Sequence, residues 1–266
     1  MRAWIGMGCA LMLASASASA SAVTVQAPDS DEVVAASLIE AGAVAALEKM
    51  GRTLRSLPNF GVTSQSSYRF ELEDRRILEL DAKVTYKVVQ PGKLYINVES
   101  GRWDREVYYD GKDLTIWSRP ENSYAQVSGV DKNLPELFLV AARDHGIEIP
   151  LADLFFWGTA YAPVSSLTAA FEIGPMTLLG EPVVQYAFTQ GGADWQLWMS
   201  EETGLPRKIL VSDRAASSDS ISALLTWDTS TKFDASTFKF DAPKGASSIV
   251  IEKIRDIYPS SLDSVR

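Results

Sequence analysis

The chain has 266 residues, 46% apolar, 22% charged and 10% aromatic, a globular mixture that excludes disordered, coiled-coil and collagen-like chains. Acidic residues outnumber basic ones by 34 to 25, a net charge of −9, so no basic field exists to condense on nucleic acid, which is excluded as a partner. One cysteine and one histidine leave too few ligands for zinc, haem or thiol chemistry, and no cofactor or metal is expected.

Met1-Arg2, the apolar run from Ala3 to Ala14 and the Ser/Ala alternation from Ser15 to Ala22 form the three parts of a secretory signal. The run is too short to span a bilayer, which takes about 20 apolar residues. Gly8-Cys9 resembles the end of a lipobox, but too little apolar sequence precedes it and Gly6 stands where such boxes carry Leu. The expectation is a signal over residues 1–22, a periplasmic product and one domain over residues 23–266, with its core at about 43–246. Cys9 leaves with the signal, so stability must come from an apolar core rather than a disulfide.

A helix is expected from Asp31-Glu32 to about Leu57, capped by Asp29 or Ser30 and stopped by Pro58. Val44, Leu47, Met50, Leu54 and Leu57 form its apolar stripe, with Lys49, Arg52 and Arg55 opposite. From Phe60 the period becomes two. Strands are expected over Val62–Glu71, Ile77–Val89, Lys93–Ser100, Arg105–Tyr109, Leu114–Arg119 and Tyr124–Val127. Their separators are Pro91-Gly92 as a type II turn, Asp110-Gly111 as a tight hairpin and Pro120-Glu121-Asn122. Turns this short make the strands antiparallel neighbours.

Leu134–Asp144 has helical spacing and Gly146 to end it; Leu151–Trp157 (LADLFFW) is a short, very apolar helix after Pro150. Strands resume over Leu167–Ile173, Pro175–Leu179, Val183–Gln190, Asp194–Ser200, Arg207–Ser212 and Ile221–Thr229, then a short one at Phe238–Phe240 and an edge segment at Ile249–Ile254. The fold class is α+β, with helices on one face of a large antiparallel sheet.

A sheet covered on one face alternates strictly, and several strands here do not. Trp195, Leu197 and Met199 oppose Trp198; Val183 and Ala187 oppose Val184, Tyr186 and Phe188; Leu114 and Ile116 oppose Trp117. Either large aromatics shield both faces as plain packing, or they line a cavity for an acyl chain or similar apolar guest. For the second case the cavity residues are Trp117, Phe138, Phe155, Phe156, Trp157, Trp195 and Trp198. No G-x-S-x-G, G-x-G-x-x-G or Walker pattern occurs. His145 sits beside Asp144 at a helix end as a cap or surface residue, and the Glu71–Arg76 charges read as a solvated turn. A hydrolytic carboxylate such as Asp153 lacks a partner in sequence, so no enzyme is expected.

The order of LEKMGRTLRSLPNF, PGKLYINVES, YYDGKDLTIWSRPENSYAQV, PLADLFFWG, GEPVVQYAF, DWQLWM, GLPRKI and FKFDAPKGA resembles an uncharacterised bacterial periplasmic family. That family belongs to the superfamily of the lipoprotein carriers LolA and LolB, the lipoprotein LppX and the sensor RseB. The resemblance covers about Ala43 to Ala246. It implies a curved antiparallel sheet, an incomplete β-barrel, covered on its concave side by helices, with Val44–Leu57 and Leu134–Trp157 as the cover. It further implies a hydrophobic small molecule or acyl chain as ligand, or an envelope protein as partner, for a monomer without a transmembrane segment.

Overall fold

The computed structural model describes residues 38–101, 104–157, 159–215 and 219–251; the expected signal, with Cys9, lies outside them. Helix α1 spans Ala41–Ser56. Strands β1 (Asn59–Glu71), β2 (Ile77–Val89), β3 (Lys93–Glu99), β4 (Arg105–Tyr109), β5 (Leu114–Ser118) and β6 (Ser123–Val127) follow as a meander. Helices α2 (Leu134–His145) and α3 (Asp153–Phe156) lead to a second meander. It comprises β7 (Leu167–Leu178), β8 (Glu181–Gln190), β9 (Ala193–Ser200), β10 (Pro206–Asp213) and β11 (Ser220–Asp228), before a last short strand β12 (Ser247–Ile249).

All twelve strands belong to one open sheet in the order β12-β6-β5-β4-β3-β2-β1-β11-β10-β9-β8-β7. Each neighbouring pair is antiparallel except β12 with β6. The two meanders therefore join along one seam, β1 against β11, where Gly61 pairs with Asp228 and Arg69 with Ser220. The fold class read from the sequence holds.

Five expectations are corrected. Helix α1 does not extend back through residues 38–40: Ile39 bridges Ala170, and the Glu40 and Ala170 N–H groups donate to Ala170 O and Leu38 O at 2.7 and 2.8 Å. The edge of β7 thus fixes this stretch in extended form, and the expected start at Asp31 lies outside the described residues. The Gln90–Pro91 peptide is cis, not the trans bond of a type II turn. Leu167–Ile173 and Pro175–Leu179 are one strand, β7, carried past Gly174 by a shift in pairing between Glu172 and Gly174. Phe238 ends a 3₁₀ turn (Ala235–Phe238) rather than starting a strand. The edge segment comes earlier than expected, at β12. By contrast, α2 ends as read: Asn133 Oδ1 accepts the Glu136 N–H at 3.0 Å, and Gly146 (φ 63°) closes the last turn in left-handed geometry.

Period-2 alternation and the pairing registers give the sheet two apolar faces. The inner face carries Phe60, Val62, Val84, Tyr86, Val88, Leu94, Ile96, Tyr109 and Leu114, all buried in one core with Leu47, Met50 and Leu54 of α1 and Leu137 and Phe138 of α2. Tyr86 OH donates to Pro150 O, and Gln90 Nε2 donates to Leu54 O and Leu57 O at 2.9 and 2.8 Å, tying the covering elements to β2.

The outer face of β2 to β6 is covered by the chain itself. After β11, Asp228 accepts from the Ser230 and Thr231 N–H groups, and residues 229–246 cross the sheet as a strap that ends beside β6. Phe238 is 1% exposed beneath it. The Phe240 ring lies 4.9 Å from Tyr124, 5.4 Å from Tyr108 and 6.2 Å from Trp117. Under the strap Glu106 is buried and accepts from Tyr108 OH and the Arg119 guanidinium. Burial first, then the Glu106 charge, pushes the Tyr95 phenol up to about 12 from its ordinary 10.0 and raises Tyr108 likewise.

Stability and titration both report on this packing. A Cβ at Gly51 would stand 2.7 Å from the Trp157 carbonyl oxygen, a backbone atom that cannot swing away. Gly51→Ala should therefore destabilise by about 1–3 kcal/mol in urea unfolding, although alanine is the better helix former. Because the folded state holds the Tyr95 proton more tightly, stability should fall as pH rises from about 10 to about 12. Glu106→Gln removes a charge that raises the phenol pKa, so phenolate absorbance near 295 nm should develop at lower pH than in the parent; an unmoved titration refutes the assignment.

Candidate functional site

Residues of the expected cavity set divide by strand face. Trp195 lies on the inner face of β9, where the Trp157 indole stacks on it at 5.4 Å and 10°, and the Phe188 ring at 4.3 Å and 22°. A second run of rings joins Tyr161, Phe156, Phe138, Phe155, Phe60 and Trp227, with successive centroids 4.9–6.3 Å apart. Helix α3 supplies Phe155 and Phe156 to one run, and Trp157 directly after it supplies the other. Phe138, Phe155, Phe156, Trp157 and Trp195 are thus brought together.

Trp117 and Trp198 are not among them. Register places Trp117 opposite Tyr124 and Glu106 on the outer face, under Phe240. Trp198 is on the outer face of β9, where Lys208 Nζ sits 4.7 Å from its ring centroid. The aromatics on both faces answer to two covers, helices inside and the strap or a lysine outside.

Between helices and sheet these rings pack on one another and on the buried core. Two cavities stand out among the described residues, and both lie elsewhere. One of about 340 Å³ is a groove between α1 and residues 159–165. The other, about 150 Å³, is on the outer face between Tyr108, Asp110, Asp113, Thr115, Gln126 and the strap. Among the described residues no group of three or more His, Cys, Asp or Glu is placed to hold a metal. Asp153 reaches solvent at the start of α3, while the protein mass around it raises its carboxyl pKa by desolvation.

What the sequence did not show is a row that runs across seven strands of the inner face. Successive registers align Ala170, Phe188, Trp195, Val211, Ile221, Tyr68 and Leu80 from β7 to β2. Ala170, Phe188 and Trp195 are buried under Trp157 and α1; Val211, Ile221 and Tyr68 are half-buried; Leu80 is 37% exposed. Phe70 and Leu78 form the next pair outward, Leu78 at 41% exposed. The helices thus stop short of the lower inner face and leave an open apolar trough. Each of its residues obeys the period-2 pattern within its own strand, but only the registers show that they align.

A family model described as "Predicted periplasmic protein (DUF2092)" matches residues 43–252. The chain belongs to the DUF2092 family. That places the protein in the periplasm, and no helix among the described residues is long and apolar enough to cross a membrane. No curated protein matches the chain. Three solved structures similar in fold span three bacteria. An uncharacterized conserved protein from Thermus thermophilus aligns at TM-score 0.47 and 12% identity over 79% of this chain and 99% of that one. Lipoprotein LppX of Mycobacterium tuberculosis aligns at 0.44 and 11% over 73% and 98%. MucB of Pseudomonas aeruginosa, in its complex with MucA, aligns at 0.42 and 15% over 76% of this chain and 62% of that one, so this DUF2092 chain spans less than two thirds of MucB.

The ring stack predicts a stability effect. Trp157→Ala should cost about 3–5 kcal/mol in denaturant unfolding, the range for deleting a buried ring, because it removes the indole stacked on Trp195.

Proposed function

We propose that this DUF2092 protein is a non-enzymatic periplasmic binding protein that takes an apolar guest, an acyl chain, on the open inner face of its curled sheet. The observation that carries this is the row from Trp195 to Leu80, which passes from buried to exposed without a polar break. The protein gains nothing in stability from leaving Leu78 and Leu80 exposed and Tyr68 and Phe70 half-exposed on a concave face, whereas a guest laid there removes them from water. The guest would lie along the trough, with Phe155 and Phe156 at its covered end.

A second reading, an envelope protein partner, is favoured by free sheet edges. Among the described residues, strand β3 pairs with β2 only from Lys83 onward, leaving Ile77–Ala82 without a strand partner on that side, and the outer edge strand β7 exposes Phe171, Ile173 and Met176.

One titration separates the two. A neutral fluorescent monoacylglycerol should bind saturably, and Leu80→Asp should weaken it by about tenfold or more, since burying one leucine contributes about 1.5–3 kcal/mol. Leu80 is exposed enough for the variant to keep the parent's circular dichroism. Absence of saturable binding would remove the acyl reading and leave the protein partner.

A further inference from the structure

The groove between α1 and residues 159–165 has a different chemistry from the trough. Its volume, about 340 Å³, is at the lower end for small-molecule sites. One wall is a face of α1 carrying Glu48, Arg52 and Arg55, at helical spacings of four and three residues. The other is Thr159, Ala162, Pro163, Val164 and Ser165. Two guanidinium groups face one carboxylate, a local excess of positive charge in a chain whose net charge is −9.

Neither arginine is used up. Arg52 Nη1 lies 3.7 Å from Glu48 Oε2, and with the two side chains 62% and 42% exposed that pair is weak and open to competition. Arg55 donates one Nη1 hydrogen bond to Trp157 O at 2.8 Å, which orients the guanidinium and leaves further N–H groups for another acceptor. Thr159 Oγ1 donates to Phe156 O, so its hydroxyl proton is engaged, and Ser165 is the hydroxyl able to donate. Ala162, Pro163 and Val164 supply apolar surface beside this polar end.

We propose that this groove binds the anionic head of a small amphiphile, a carboxylate or phosphate monoester, between Arg52 and Arg55, with the first carbons of its chain against Ala162, Pro163 and Val164. Guanidinium forks match both oxyanions geometrically. The site stands apart from the trough and does not rest on the acyl-binding reading.

Calorimetric titration of the mature chain tests it with octyl phosphate and octanoate below their micellar concentrations, beside octanol and inorganic phosphate. At least one octyl anion should bind saturably, at least tenfold tighter than octanol or inorganic phosphate. Arg52→Gln, at an exposed position, should weaken that binding at least tenfold, as should Arg55→Gln, while Arg52→Gln leaves monoacylglycerol binding at the trough unchanged. Failure of both anions to bind, or binding indifferent to Arg52→Gln, overturns the site. Octanol binding as tightly as the anions overturns the role of charge, and inorganic phosphate binding as tightly as octyl phosphate overturns the role of the apolar wall.

Discussion

A sheet that is apolar on both faces must be covered twice, and this requirement shapes the molecule. Inside, three helices provide the cover, led by the stripe of α1 and the rings of α3. Outside, the strap lays Phe240 over Tyr108, Trp117 and Tyr124 and buries Phe238, whose ring meets Phe233. Buried polar groups under it are satisfied by one another: Glu106 takes hydrogen bonds from Tyr108 and Arg119, and burial together with Glu106 raises the Tyr108 phenol pKa. The inner cover is shorter than the sheet, and the trough is what it leaves.

Most strands were legible because period 2 and turn chemistry are local. Ile77–Val89 and Arg105–Tyr109 fall where alternation put them, and the split of Trp195 from Trp198 was visible within eight residues. Long-range events were not. Phe238 and Phe240 alternate like a strand, yet a 3₁₀ turn and a crossing over the sheet serve them better, because aromatic rings already wait on the outer face. Helical continuity through residues 38–40 fails because the edge of β7, more than a hundred residues away, holds Ile39 extended.

Legibility of the site divides the same way. Aromatic clustering at Phe155, Phe156 and Trp157 could be read in one line of sequence, and these rings do converge with Phe138 and Trp195. Trp117 and Trp198 could not be assigned to a face relative to helices whose docking was unknown. Tyr68, Leu80, Val211 and Ile221 come from four strands whose alignment depends on the β1–β11 seam, which no local pattern encodes. Arg52 and Arg55 read as a solvated helix face because residues 159–165 approach them only in three dimensions.

That seam also has a kinetic meaning. Each meander consists of hairpins between chain neighbours and can assemble early, but Gly61 meets Asp228 only after nearly the whole folded region is present. Zipping the two halves is then the late, entropically costly closure of a very large loop, and until it happens both halves show unpaired edges to their surroundings. For a periplasmic polypeptide, such a pause leaves two unpaired strand edges open to pairing with other chains until the seam closes.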